Sequence, residues 1–132
     1  MSILYKPDKN LPQGTTEIAE NFYLHCNDIE PEQIVLPDGL KKIGSCAFFD
    51  CFIELKSVNI PLSVEEIGDE AFWALDDFES VTISPLIKKI GKHAFCNCRK
   101  LTITFLGSKE DIPDGWHKDW NPNCKIQYKE NK

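Results

Sequence analysis

Apolar residues return along this chain in a fixed phrase. Ile43-Gly44-Ser45-Cys46-Ala47-Phe48, Ile67-Gly68-Asp69-Glu70-Ala71-Phe72 and Ile90-Gly91-Lys92-His93-Ala94-Phe95 share the pattern I-G-x-x-A-F, and Ile18-Ala19-Glu20-Asn21-Phe22-Tyr23 is a degraded first copy. The leading isoleucines, at 18, 43, 67 and 90, are 25, 24 and 23 residues apart. Seven residues ahead of the last three stand Leu36, Ile60 and Ile83. Three residues after each closing aromatic comes Cys26, Cys51, Leu75 or Cys98. Between copies, Ser57-Val58-Asn59-Ile60 alternates polar with apolar, the period of a half-buried strand.

One turn of the repeat therefore reads as a cycle. A short strand holds Val58 and Ile60, and Pro61 ends it by removing a ladder donor. A turn leads to Val64 and Ile67. Gly68 permits a tight entry into a short helix or 3₁₀ segment bearing Ala71, Phe72 and Leu75, and the chain returns at Phe78, Val81 and Ile83. Such a unit cannot bury its own apolar face. Stacking units about 4.8 Å apart lines up equivalent side chains as one core. A period in this range marks a leucine-rich-repeat solenoid. The expected fold is an α/β solenoid of about four rungs over residues 18–105, with irregular caps at 1–17 and 106–132. Ile3, Leu4, Tyr5 and Leu11 would cover the first rung. Trp116 and Trp120, four apart, would share one face of a short helix and plug the last. Ser108 and Asp111 have capping-box spacing, and Cys124 to Tyr128 reads as a final strand with Ile126 and Tyr128 facing in.

Leu55-Lys-Ser-Val-Asn-Ile-Pro61, an L-x-x-V-x-I-P strand motif, and Ile43 to Cys51, an I-G-x-x-A-F-x-x-C motif, resemble the BspA-like leucine-rich repeat family. The resemblance covers about Ile18 to Phe105, and the segment Asp114 to Pro122 is similar to the terminal cap of such proteins. It implies a right-handed solenoid that binds other proteins, commonly at a bacterial surface, and it implies no catalytic residues.

Charge and cysteine usage narrow the chemistry. A net charge of −6 and a single arginine, Arg99, argue against phosphate or guanine recognition, so no direct nucleic-acid binding is expected. The residues before the marker isoleucines, Thr16-Glu17, Lys41-Lys42, Glu65-Glu66 and Lys88-Lys89, would alternate in sign from rung to rung and select register. Cys26, Cys51 and Cys98 share one rung position and read as a reduced, buried ladder, with a Cys26–Cys51 bridge just within reach. Cys46, Cys96 and Cys124 fall outside it. His93-x-x-Cys96-x-Cys98 has metal-binding residue types but no standard zinc spacing, so neither metal nor cofactor is expected. The glycines at 44, 68 and 91 read as turn residues. No Gly-rich phosphate loop or hydrolase motif occurs. The opening residues lack the apolar run of a secretory signal, and no stretch is long and apolar enough to span a membrane. The chain reads as cytoplasmic, although a surface protein trimmed of its signal would look the same.

Two surfaces stand out as candidate protein-binding faces. The outward strand face carries Ser57, Asn59, Ser80, Thr82, Ser84, Thr102 and Thr104, after Gln33 and Val35. The helix side carries Phe49 and Trp73 as an aromatic pair with an acidic rim of Asp50, Glu54, Asp76, Asp77 and Glu79. That pair also makes a candidate homodimer patch. The composite expectation is a non-enzymatic protein-interaction module. The alternative is a small acidic inhibitor, host- or phage-derived, occupying the basic groove of a nucleic-acid-processing protein.

Overall fold

The computed structural model describes residues 11–24, 34–50 and 55–130. Its strands, among the described residues, are β1 (Glu17–Ile18), β2 (Lys42–Ile43), β3 (Ser57–Val58), β4 (Glu66–Ile67), β5 (Ser80–Ile83), β6 (Lys89–Ile90), β7 (Thr102–Leu106) and β8 (Lys125–Lys129). They form two parallel sheets, ordered β1-β2-β4-β6 and β3-β5-β7-β8. In the first, Ile18, Ile43, Ile67 and Ile90 are register partners, and so are Glu17, Lys42, Glu66 and Lys89. In the second, Val58, Val81, Ile103 and Ile126 are partners. Each turn of the chain thus contributes one strand to each sheet. The repeat predicts only the strand of Val58 and its equivalents; the residues up to each marker isoleucine, expected as a turn leading into a helix, pair as a second sheet.

The short helix expected after each glycine is absent. Apart from a 3₁₀ turn at Lys109–Asp111, the described residues contain no helix. The segment from the glycine to the aromatic is an arc whose N–H groups bond to the next rung. Cys46 N–H donates to the Asp69 carbonyl (2.9 Å), Glu70 to Lys92 (3.0 Å) and His93 to Asp119 (2.8 Å). Two residues on, Phe48 donates to Ala71 (2.7 Å), Phe72 to Ala94 (2.8 Å) and Phe95 to Trp120 (2.9 Å). A helix would have turned these donors along its own axis. Instead, left-handed residues at fixed phase aim them along the solenoid: Cys46, Glu70 and His93 at φ 55 to 57°, then Asp50, Ala74 and Asn97 at φ 48 to 61°. Side chains there cost roughly 1–2 kcal/mol each, which the inter-rung bonds must offset.

The repeated glycines also have a different use from the one expected. Gly44, Gly68 and Gly91 do not have positive φ. They clear a path for the rung below. A Cβ on Gly68 would lie 2.5 Å from the Ser45 amide nitrogen, and one on Gly91 would lie 2.6 Å from that of Asp69. Ala19 holds the same place in the first rung, where it is exposed.

The core is an aromatic column. Tyr23, Phe48, Phe72 and Phe95 are fully buried. Successive ring centroids lie 4.7, 4.8 and 5.0 Å apart, with planes within 19°. This is the spacing of hydrogen-bonded strands, so backbone and rings share one repeat distance. Trp120 ends the column edge-on at 6.1 Å. The segment around it is a degenerate fifth turn of the solenoid, where a short helix was expected. Trp116 bridges to Ile90 as a parallel partner, and His117 N–H donates to the Ile90 carbonyl at 2.8 Å, as Gly91 N–H does to Ile67 at 2.9 Å. Both tryptophans are buried, and Trp116 Nε1–H satisfies the Ile87 carbonyl at 2.7 Å. On β8, Tyr128 meets the edge of Phe105 at 5.9 Å but stays 41% exposed, because β8 is the last strand of its sheet. The Ser108 N–H donates to the Asp111 carboxylate at 2.8 Å, as the capping-box spacing predicts. Ile3, Leu4 and Tyr5 lie outside the described residues.

Two substitutions separate the column from the clearance. Phe72→Ala should destabilise the fold by about 3–5 kcal/mol through the cavity it opens mid-column. Gly68→Ala should cost about 1–3 kcal/mol because backbone, not a mobile side chain, must move. Denaturant midpoints at unchanged slope would measure both. A Gly68→Ala protein as stable as wild type would refute the close-approach account.

Candidate binding surfaces

The strand face assembles as expected. Ser57, Ser80 and Thr102 are register partners in one row, and Thr82 and Thr104 in the next. Ser57, Asn59, Ser80 and Thr82 are exposed, while Ser84, Thr102 and Thr104 are half-buried. Ser84 is partly committed to the fold, since its hydroxyl accepts the Leu86 N–H at 3.0 Å. The rows run one strand further than the repeat indicated. Lys125 continues the first and Gln127 the second, with Gln127 Nε2 donating to Thr104 Oγ1 at 2.8 Å. Reading Cys124 to Tyr128 as a strand held this information, once aligned with Thr102 to Leu106. At the proline corner the face falls into a groove of about 300 Å³ lined by Asn59, Ile60, Leu62, Thr82, Ser84 and Leu106, among others. Leu62 and Leu86 are 67% and 61% exposed, and Val35 67%. The leucines were not singled out from sequence. The available signal was the leucine directly after Pro61 and after Pro85; Asp38 follows Pro37 instead.

The second surface is an arc, since no helix forms there. Phe49 and Trp73 stack on each other across one rung, with centroids 4.5 Å apart and planes 10° from parallel. Both are half-buried. Asp50 N–H donates to the Trp73 carbonyl at 2.9 Å, which ties the two rungs at this point. Asp76 and Glu79 are exposed. Asp77 is engaged by Lys100, whose Nζ lies 3.4 Å from its Oδ1. Glu54 lies outside the described residues. The acidic rim is therefore partly neutralised on the rung that carries Trp73.

The cysteines serve the backbone. Cys98 is buried and its thiol donates to the Phe72 carbonyl at 3.0 Å. Cys124, expected outside the ladder, makes the equivalent bond one rung later, to Phe95 at 2.9 Å. Cys26 and Cys51 lie outside the described residues. Burial pushes the Cys98 thiol up to about 12 and the Cys124 thiol up to about 11. Burial, with Glu70, Glu20 and Asp69 nearby, also raises Cys46. None of these three carries appreciable thiolate at neutral pH, so none is primed as a nucleophile. Among the described residues no group of three or more His, Cys, Asp or Glu side chains gathers as a metal site.

The thiols make a pH prediction with a definite sign. Cys98 ionises near 9.0 when exposed and near 12 when folded. Its contribution is complete below pH 9 and is lost as pH rises toward 12, because only the unfolded chain releases the proton there. Urea stability should fall with pH above about 9, and Cys98→Val should fall less steeply. Parallel wild-type and variant profiles would contradict this.

Comparison with known proteins gives the geometry a family. The BspA type leucine rich repeat region, a family described as six copies, matches residues 7–121. No curated protein matches the chain. Among solved structures, a leucine-rich repeat protein from Bacteroides ovatus is 31% identical, with a TM-score of 0.64 over 72% of this chain and 24% of its own. A leucine-rich repeat protein of T. pallidum is 26% identical, with a TM-score of 0.55 over 67% of this chain and 51% of its own. The chain thus spans about a quarter and about half of these two structures. Matched over most of its length by the family and folded as parallel rungs in the same way, the chain belongs to the BspA-type leucine-rich repeat family.

Proposed function

We propose that the chain is a non-enzymatic protein-interaction module that recognises its partner through the outward face of β3, β5, β7 and β8. The observation that carries this reading is the pair of register-aligned polar rows, Ser57-Ser80-Thr102-Lys125 and Thr82-Thr104-Gln127, ending at an apolar corner with exposed Leu62. The rows offer hydrogen-bonding groups every rung, each net contact worth about 0.5–1.5 kcal/mol. The corner supplies the desolvated contact that polar rows alone lack. Cys98 and Cys124 stay neutral at physiological pH, so neither is activated for covalent chemistry. The Phe49–Trp73 stack is the weaker candidate, because each ring already covers a face of the other. The acidic-inhibitor alternative is weaker still. On the β1-β2-β4-β6 side the acids are interleaved with lysines, so no continuous negative face forms there.

Thr82→Arg places a long cation at the centre of the face and should weaken a captured partner at least tenfold, about 1.4 kcal/mol. Trp73→Ala should leave the same affinity unchanged. Titration calorimetry with the purified partner would measure both. The opposite pattern would move the site to the arc, and no effect from either substitution would overturn the reading. Affinity for a basic partner that collapses with salt would instead favour the inhibitor.

A further inference from the structure

The face formed by β1, β2, β4 and β6 is striped by charge. Its outward row reads Glu17, Lys42, Glu66, Lys89, one residue per rung, each the register partner of the next. The preceding row reads Thr16, Lys41, Glu65, Lys88. Both residues of a rung carry the same sign, apart from neutral Thr16, so the face is banded negative, positive, negative, positive. Within the chain the bands are loosely tied. Lys88 Nζ lies 2.9 Å from Glu65, Lys41 3.5 Å from Glu65 and Lys42 3.9 Å from Glu17. All five side chains keep 41–74% of their surface in water. They remain available to a second partner of opposite sign.

The fifth turn adds Asp114 and neutral Gly115 beyond Lys88 and Lys89, but the four rungs from Glu17 to Lys89 form an even set of alternating bands, which has a geometric property that a uniform patch lacks. Consider a two-fold axis lying along the strands, in the plane of contact, between the second and third rungs. It sets the first rung of one copy against the fourth of the other, and the second against the third. Every band then meets its opposite: Glu17 faces Lys89, and Lys42 faces Glu66. A two-fold axis along the stacking direction would set like against like. An interface of this kind is isologous, and its self-complementarity follows from the phase of the stripes.

We propose that this face pairs with the same face of a second copy, antiparallel along the solenoid axis, as a weak salt-sensitive dimer. The charge complementarity of the bands is what names a second copy as the occupant. The dimer leaves the β3-β5-β7-β8 face open and does not involve Phe49 or Trp73, so it stands apart from the partner-binding reading. The face is a few rungs wide and polar, which places it among small, transient interfaces. Net charge of −6 per copy opposes the approach at long range. At about 0.1 M salt the screening length is about 10 Å. Repulsion between whole molecules is then damped while contacting pairs still attract. At about 1 M it falls to about 3 Å and the pairs are lost as well.

Sedimentation velocity over a concentration series tests this. Wild type should show reversible dimer at about 0.1 M salt and monomer at about 1 M. Lys42→Glu and Glu66→Lys should each weaken self-association at least tenfold, because each puts like charges opposite one another twice per dimer. Mixing the two variants should restore a heterodimer. The glutamate introduced at position 42 of one copy then meets the lysine introduced at position 66 of the other, and the unaltered Lys42 and Glu66 meet across the second contact. Trp73→Ala should dimerise as wild type does. A wild type that is monomeric at high concentration in about 0.1 M salt would overturn the proposal. So would a mixture that stays monomeric while circular dichroism shows both variants folded. If the alternation served register alone, reversals would lower the melting temperature without any change in sedimentation.

Discussion

The structure rests on one shared distance. Strands that hydrogen-bond side by side must lie a little under 5 Å apart, and the stacked rings of Tyr23, Phe48, Phe72 and Phe95 lie 4.7 to 5.0 Å apart. Because backbone and ring spacings agree, one chain can satisfy both along its whole length without strain accumulating from rung to rung. Everything else is subordinate to keeping the rungs at that separation. Glycines 44, 68 and 91 are there because a methyl group would hold two backbones apart. Left-handed residues recur because alternate N–H groups must point along the stack. Stability is then a sum of neighbouring-rung contacts, the one-dimensional regime of repeat proteins.

Much of this was legible in the sequence, since phase is what a repeat preserves. The polar-apolar alternation of Ser57 to Ile60 named the strands of one sheet, while the leading isoleucines, read as following a turn, gave the phase but not the second sheet that they form. The closing aromatics named the column, and the paired charges gave the register partners that form. The misread helix has a physical origin. Ile67, Ala71 and Leu75 recur every four residues, which is also the spacing of one helix face. Two periodicities coincide over so short a segment, and only the destination of the N–H groups distinguishes them. Residue type gave little help, because Cys46, Glu70 and His93 are not the glycine or asparagine that usually mark left-handed backbone. The fifth turn was hidden for a related reason. Trp116 and Trp120 keep the spatial positions of Ile90 and Ala94, but the phrase that identified those positions is gone.

The candidate faces divide in the same way. Outward strand positions could be assigned because alternation is strict there, and Ser57, Ser80 and Thr102 do fall in line. The extension of those rows by Lys125 and Gln127 was present in the last strand but carried no repeat phrase to align it, and the corner where Leu62 stands exposed depends on how the chain turns after the strand. The Phe49–Trp73 pair was visible as composition but not as a stack. Adjacent rungs bring the two rings face to face at 4.5 Å, which spends part of the area that exposure would have offered a partner.

A solenoid of this kind constrains what its surface can say. Inward positions are bound to a common spacing and tolerate little change, so only the outward rows, one letter per rung, are free to vary. Such rows come in two sorts here. The Ser/Thr row repeats nearly the same letter and presents a uniform, translation-tolerant strip, suited to a partner that lies along it. The Glu/Lys row alternates, so shifting it by one rung puts every charge against its like. Alternation therefore fixes register within the chain, where misstacked rungs would set like charges together, and it would fix register equally between two surfaces. A device that keeps the fold in phase also carries directional information outward, because the same coulombic rule acts on either side of the sheet edge. The short-range order that builds the core is thus the source of whatever selectivity the exterior has.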